Sequence, residues 1–250
     1  MTLSEFIKLH RAMGQDLILD GIHYYMNSDG RIVATAAKGF NTSKVKVLEG
    51  TEIIDAKAFE NCSITNISLP SSITDIKVHA FANSRLKRIE VPKGVTVVGP
   101  CAFAWCVLLT DVMFTEGLKE IGDGAFHDTF IKCITLPNTV KVLGESVFEN
   151  CWKLKTVKLS NSLESIGESA FAGCSMLKTI EIPDSVKSIG KSAFRNCRGL
   201  TYIQIPASVK HIGKWAFMNC TDLRRVRIPK EYKAKCKTIF IPQKIKFDFY

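Results

Sequence analysis

From Leu177 the chain reads LKTIEIPDSVKSIGKSAFRNC, and its apolar positions change rhythm within that stretch. In LKTIEIP, Ile180 and Ile182 alternate with Thr179 and Glu181, the period-2 pattern of a half-buried strand. Proline then ends the pairing, because it cannot donate to a ladder. In SVKSIG, Val186 and Ile189 make a second short piece directed inward, and its glycine predicts a tight or left-handed turn. KSAFRNC predicts a turn, or a single helical turn, that plugs Ala193 and Phe194 into a core.

The pattern recurs. Phe59, Phe81, Phe103, Phe126, Phe148, Phe171, Phe194 and Phe217 follow one another at steps of 22 or 23 residues. The proline recurs at Pro70, Pro92, Pro137, Pro183, Pro206 and Pro229, while Thr115 and Ser160 replace it in two units, where local loosening is expected. A unit of about 23 residues cannot bury its apolar face alone, but stacked copies share a continuous core. The predicted fold is therefore a repeat solenoid, mostly β with short turns or one-turn helices. The motif L-x-x-I-x-I-P…I-G-x-x-A-F-x-x-C closely resembles the BspA-like class of leucine-rich repeats, over about residues 43–242. That resemblance implies a right-handed solenoid with a parallel sheet along one face. It also implies the habits of the family: commonly surface or secreted proteins of bacteria and parasitic protists, acting in adhesion and partner binding, some protist members without an obvious signal peptide.

The ends depart from the repeat and are expected to cap it. Residues 1–42 read as an N-terminal cap. Thr2 and Glu5 form a capping box, and Leu3, Phe6, Ile7 and Met13 make a helical stripe. LILDGIHYYMNSDGRIVATA then reads as two strands joined at Asn27–Gly30. Residues 43–229 hold the repeats, and 230–250 read as a partial repeat closed by a strand in which Ile245, Phe247 and Phe249 alternate with Lys246 and Asp248. No Gly/Ser-rich linker separates a further domain.

Composition narrows the class. A hydrophobic share of 46% with 23% charged residues is that of an ordered chain. No apolar run approaches the ~20 residues of a membrane span, so no membrane insertion is expected. MTLSEFIKLHRAMGQ lacks the basic and apolar regions of a secretory signal. The net charge of +10 is concentrated at one end: residues 207–250 carry eleven Lys or Arg against three acids.

Six of the nine cysteines stand three residues after the repeat phenylalanine, at Cys62, Cys106, Cys151, Cys174, Cys197 and Cys220, with Ser84 and Thr129 in the other two units. Stacked about 4.8 Å apart, they form an internal column. Small buried thiols with a weak donor account for it, and neither the parallel side chains nor the absence of a CxxC pair favours disulfides or metal. Cys133, on an outward strand position, is the best candidate for a reactive thiol.

No catalytic constellation is present: His10, His23, His79, His127 and His211 are scattered, and no H-E-x-x-H, P-loop or G-x-S-x-G occurs. No enzyme activity, cofactor or metal is expected. What remains is a surface. The x positions of each L-x-x-I-x-I piece line an open sheet face that becomes basic toward the C-terminus, and Tyr202, Arg224, Arg225, Arg227, Lys155 and Lys158 are its candidate binding residues. Two readings stand: a module that binds a protein or cell-surface partner in adhesion or host contact, or a binder of nucleic acid or sulfated glycan through the basic end. The missing signal and unpaired cysteines point to a reducing, cytoplasmic compartment, and the family resemblance to the cell surface by unconventional export. Neither partner identity nor oligomeric state is written in the residues.

Overall fold

A computed structural model describes residue 5 and residues 16–36, 41–240 and 245–250 of the chain. The expected N-terminal helix, with Leu3, Phe6, Ile7 and Met13, lies outside the described residues. The run from Leu17 to Ala36 forms three strands rather than two: β1 (Leu17–Leu19), β2 (Ile22–Met26) and β3 (Ile32–Ala36), paired antiparallel. The extra turn is Asp20–Gly21, with φ of 50° and 76°. Two consecutive left-handed residues match the twist of a two-residue hairpin, so the segment from Leu17 to Met26 folds back on itself. The second turn lies at Asn27–Gly30 as expected, where Asn27 Oδ1 accepts the N–H groups of Asp29 and Arg31 at 3.1 and 2.9 Å. Arg31 ties the hairpin to the first turns of the repeat. Its guanidinium lies 3.2 Å from Glu52 and 2.6 Å from Asp75. Burial raises the Asp75 pKa, but hydrogen bonds from Arg31, Thr74 and Lys77 outweigh it and hold that carboxyl at about 2.

β3 pairs in parallel with Ile53–Ile54, and from there one two-residue strand per turn continues the sheet through Asp75–Ile76 to His211–Ile212. With β1–β3 these make one continuous eleven-stranded sheet. The L-x-x-I-x-I wall is different. Its strands pair in four separate groups: Lys44–Lys46 with Asn66–Ser68, Arg88–Glu90 with Asp111–Met113, Cys133–Thr135 with Thr156–Lys158, and Tyr202–Gln204 with Arg225–Ile228 and Lys246–Phe249. The strand expected over Thr179–Glu181 does not form. Two of the three breaks follow the turns in which Thr115 and Ser160 stand for proline, the loosening expected there. The third follows Pro70, so proline alone does not set the pairing.

The A-F-x-x-C segments form turns, not helices, and they build a third hydrogen-bonded wall. In each turn alternate N–H groups donate to the next: Phe59 to Ala80 at 2.7 Å, Asn61 to Ala82 at 2.9 Å, and so on to Phe194 with Ala216 at 2.7 Å. This geometry needs two left-handed residues per turn, four apart, from Lys57 and Asn61 to Trp215 and Asn219. Even Trp105 (φ 59°) and Trp215 (φ 60°) adopt it, although bulky side chains disfavour that region. The inter-turn bonds offset the strain. Of the tight or left-handed turn expected at the repeat glycine, the left-handed form is not adopted at Gly99, Gly122, Gly144, Gly167, Gly190 or Gly213, none of which has a positive φ. It supplies clearance instead. A Cβ on Gly167 would lie 2.2 Å from the Gly144 carbonyl oxygen, and one on Gly213 would lie 2.3 Å from the Lys191 nitrogen.

The repeat phenylalanines are buried and stacked with ring centroids 5.1–5.7 Å apart. A ninth, Phe240, continues the ladder 4.9 Å from Phe217. It comes after a 3-10 helix, Lys230–Lys235, and a short helix, Cys236–Ile239, which close this end with Tyr232 buried beneath. The changes between steps of 22 and 23 have one location. Between the column position and the next core residue the chain has one residue after Cys62, Ser84 and Thr129, and two in the other five units.

Candidate interaction face

Backbone bonding on the L-x-x-I-x-I wall sets its side chains in columns. Arg224 donates its N–H to Thr201, Thr201 to Lys178, Lys155 to Lys132, Lys132 to Thr110 and Lys87 to Thr65. These bonds, with the repeat position that alone relates Lys178 to Lys155, give a first column of Thr65, Lys87, Thr110, Lys132, Lys155, Lys178, Thr201 and Arg224, with five cations and no carboxylate. In the next column Tyr202 faces Arg225, which faces Lys246, and in the third Gln204 faces Arg227, which faces Asp248. Tyr202, Arg224, Arg225 and Arg227 are thus neighbours on two adjacent strands, all exposed. Lys155 and Lys158 are exposed as well but sit two turns from Tyr202 and three from the arginines. Glu181 and Gln204 occupy the Lys158 position in the two turns before Arg227.

The last strand completes the cluster with residues that motif spacing does not single out. Tyr250 places its ring 4.9 Å from the Arg227 guanidinium carbon, and its hydroxyl donates to the Ile205 carbonyl at 2.7 Å. Burial raises the phenol's pKa, with Arg227 acting in the opposite direction. A ring anchored at its hydroxyl is a fixed platform, so Arg227 is held in place by cation–π attraction. Arg225 is freer: Asp248 lies 3.8 Å away, and a pair so exposed adds little. Lys246 adds a cation beside Arg225. The alternation of the last strand is visible in its residues; its parallel register beside Arg225, which brings Lys246 and Tyr250 to this face, is not.

The cysteine column is internal chemistry. The thiols of Cys106, Cys151, Cys174, Cys197 and Cys220 each donate, at 3.1–3.2 Å, to a phenylalanine carbonyl in the preceding turn, from Phe81 to Phe194. Ser84 and Thr129 meet the next cysteine at 3.3 and 3.2 Å. Burial pushes the Cys106 thiol up to about 11 and those of Cys151 and Cys220 to about 12. These thiols stay protonated, and the thiolate is the nucleophile. Cys133 is exposed, as its strand position predicted. A thiol reagent at about pH 8 is expected to label Cys133 promptly in the folded chain, half-buried Cys62 and Cys101 slowly, and the five fully buried column thiols only after unfolding. Peptide mapping of the label would check this, and column labelling as fast as that of Cys133 would refute it. Among the described residues no three His, Cys, Asp or Glu side chains are grouped to hold a metal ion, and no helix is long and apolar enough to cross a membrane.

The chain is similar to several solved structures. A leucine-rich repeat protein of T. pallidum superposes with a TM-score of 0.65 at 25% identity, over 92% of this chain and 99% of that one. A leucine-rich repeat protein of Bacteroides ovatus gives 0.41 at 23% identity, over 94% and 100%. The pneumococcal vaccine antigen PcpA gives 0.45 at 16%, over 94% and 93%. No curated protein matches the chain. The BspA type leucine rich repeat region matches residues 31–155 and 141–247, which spans the hairpin strand β3, every turn of the phenylalanine ladder and the start of the last strand. The chain belongs to the BspA-type leucine-rich repeat family.

Proposed function

We propose that the chain is a non-enzymatic interaction module that receives a protein or cell-surface partner on its L-x-x-I-x-I wall, in adhesion or host contact. Leucine-rich repeat proteins are in general protein-interaction modules. The observation that carries the reading is the cluster at the end of this wall, where Tyr202, Arg225 and Lys246 share one rung and Arg227 is held over Tyr250. Aromatic and arginine side chains dominate binding hot spots, and an arginine already fixed loses less entropy on binding. Arg225→Glu or Arg227→Glu is expected to weaken a captured partner about tenfold or more, read as the dissociation constant by surface plasmon resonance. Affinity unchanged in both variants would move the site elsewhere.

The cation column from Lys87 to Arg224, free of carboxylates, favours a second reading, a polyanion such as nucleic acid or sulfated glycan. Salt separates the two. Polyanion affinity falls linearly and steeply on a log–log plot as counterions are released, whereas a shape-based protein interface responds less.

A further inference from the structure

The loop edge beside the first column carries a feature that the cluster at Arg225 does not use. Val107, Phe130 and Trp152 occupy one repeat position, directly after the cysteine column, and Met176 continues the row one turn on. Val107 is 46% exposed, Trp152 45% and Met176 40%. Phe130 meets Trp152 edge to face at 5.3 Å, and the Lys153 ammonium sits 4.0 Å from the Phe130 ring centroid and 4.8 Å from that of Trp152. An exposed apolar row of this kind marks an interaction site.

Its charge is one-sided. Segments 106–110, 129–132, 151–155 and 174–178 carry Lys132, Lys153, Lys155 and Lys178 and no carboxylate. Two adjoining acids are engaged locally: Asp111 accepts the Thr110 hydroxyl at 2.6 Å, and Asp128 lies 3.0 Å from His127. Lys132 and Lys155 are consecutive in the backbone-bonded column, so a cation row runs alongside the apolar one.

The spacing selects the occupant. Loop tips offer no free strand edge, so an added strand has nothing to pair with. Neighbouring turns lie about 4.8 Å apart, and one helical turn rises about 5.4 Å. Over the three steps from Val107 to Met176 the two spacings diverge by only about 2 Å. We propose that this edge docks an acidic amphipathic helix of a partner protein. The helix lies along the solenoid axis, seats its apolar row on Val107, Phe130, Trp152 and Met176, and sets an adjacent row of Asp or Glu against Lys132, Lys153, Lys155 and Lys178. The site goes beyond the Arg225 cluster and shares Lys132, Lys155 and Lys178 with the first column of the face proposed above.

The test uses the full chain and a fluorescein-labelled helical peptide of about 18 residues with a leucine row beside a glutamate row, followed by anisotropy. Saturable binding is expected. Trp152→Ala and Lys155→Glu should each weaken it about tenfold or more, Trp152→Phe should restore most of it, and Arg225→Glu should leave it unchanged. The same peptide with lysine in place of glutamate should not bind. An absence of saturable binding, or binding that survives Trp152→Ala, overturns the proposal. So does retention of the chain by phosphatidylserine vesicles while the peptide fails, which would assign the strip to a lipid surface. A loss of peptide binding in Arg225→Glu would place the peptide on the other site and overturn this one.

Discussion

Phe148→Ala is expected to lower stability by about 3–5 kcal/mol and to divide unfolding into two steps. Phe148 is fully buried and stacks 5.7 Å from Phe126 and 5.4 Å from Phe171. Its carbonyl also accepts the Cys174 thiol at 3.2 Å. Truncation leaves a cavity in the middle of the ladder, where neither adjacent turn can collapse without losing the bonds that fix its backbone. Stability in a stacked repeat is a sum of unit and nearest-neighbour terms, so one weakened interface uncouples the turns on either side. Urea unfolding followed by circular dichroism measures both effects. Phe240→Ala, at the end of the ladder, should cost less and keep a single transition, because only the final turn is released. A loss below about 1 kcal/mol for Phe148→Ala, with one sharp transition, would contradict the coupling argument.

Gly167→Ala is expected to cost about 1–3 kcal/mol or more through overpacking, and more than Gly30→Ala. The comparison separates two reasons for glycine. At Gly30 φ is +78° and nothing lies within 4 Å of an added Cβ, so the cost is conformational and near 1–2 kcal/mol. At Gly167 φ is not positive, but the Cβ would lie 2.2 and 2.5 Å from the carbonyl oxygen and carbon of Gly144. Both are backbone atoms of the preceding turn, and moving them opens the continuous sheet. Thermal midpoints of the two variants settle the order, and a larger loss at Gly30 would mean that clearance is not what the repeat glycine supplies.

That glycine also shows where the residues stop speaking. Its presence in six turns was plain, but its purpose depends on the distance to another turn, which local propensity does not contain. The first left-handed position of most turns was hidden for the complementary reason, whereas the second is Asn or Asp in six of the eight units, types that favour this region. Lys57, Trp105 and Trp215 are poor candidates by type, and only the bonds to the next turn make the conformation favourable. The ladder from Phe59 to Phe217 and the internal cysteine column were legible because period alone determines them. Phe240 was missed because the helical KEYKAKCKTIF replaces the motif around it, although the step of 23 persists. Of the face, the exposure of Tyr202 and the arginines followed from strand alternation. Tyr250 needed the register of the last strand, and the row from Val107 to Met176 lies in loops where a period-2 pattern has no purchase.

The edge loop that absorbs one residue in five of the eight units has a consequence for descent. Because the insertion falls outside the phenylalanine ladder and both inter-turn walls that bracket it, units of 22 and 23 residues join in the same phase. A duplication or deletion between any two equivalent positions hands each turn a neighbour with the same carbonyls, the same ring and the same clearance. Length is then inherited as a number of copies, and the loop tips, freed from that accounting, are where lineages can diverge in what they bind.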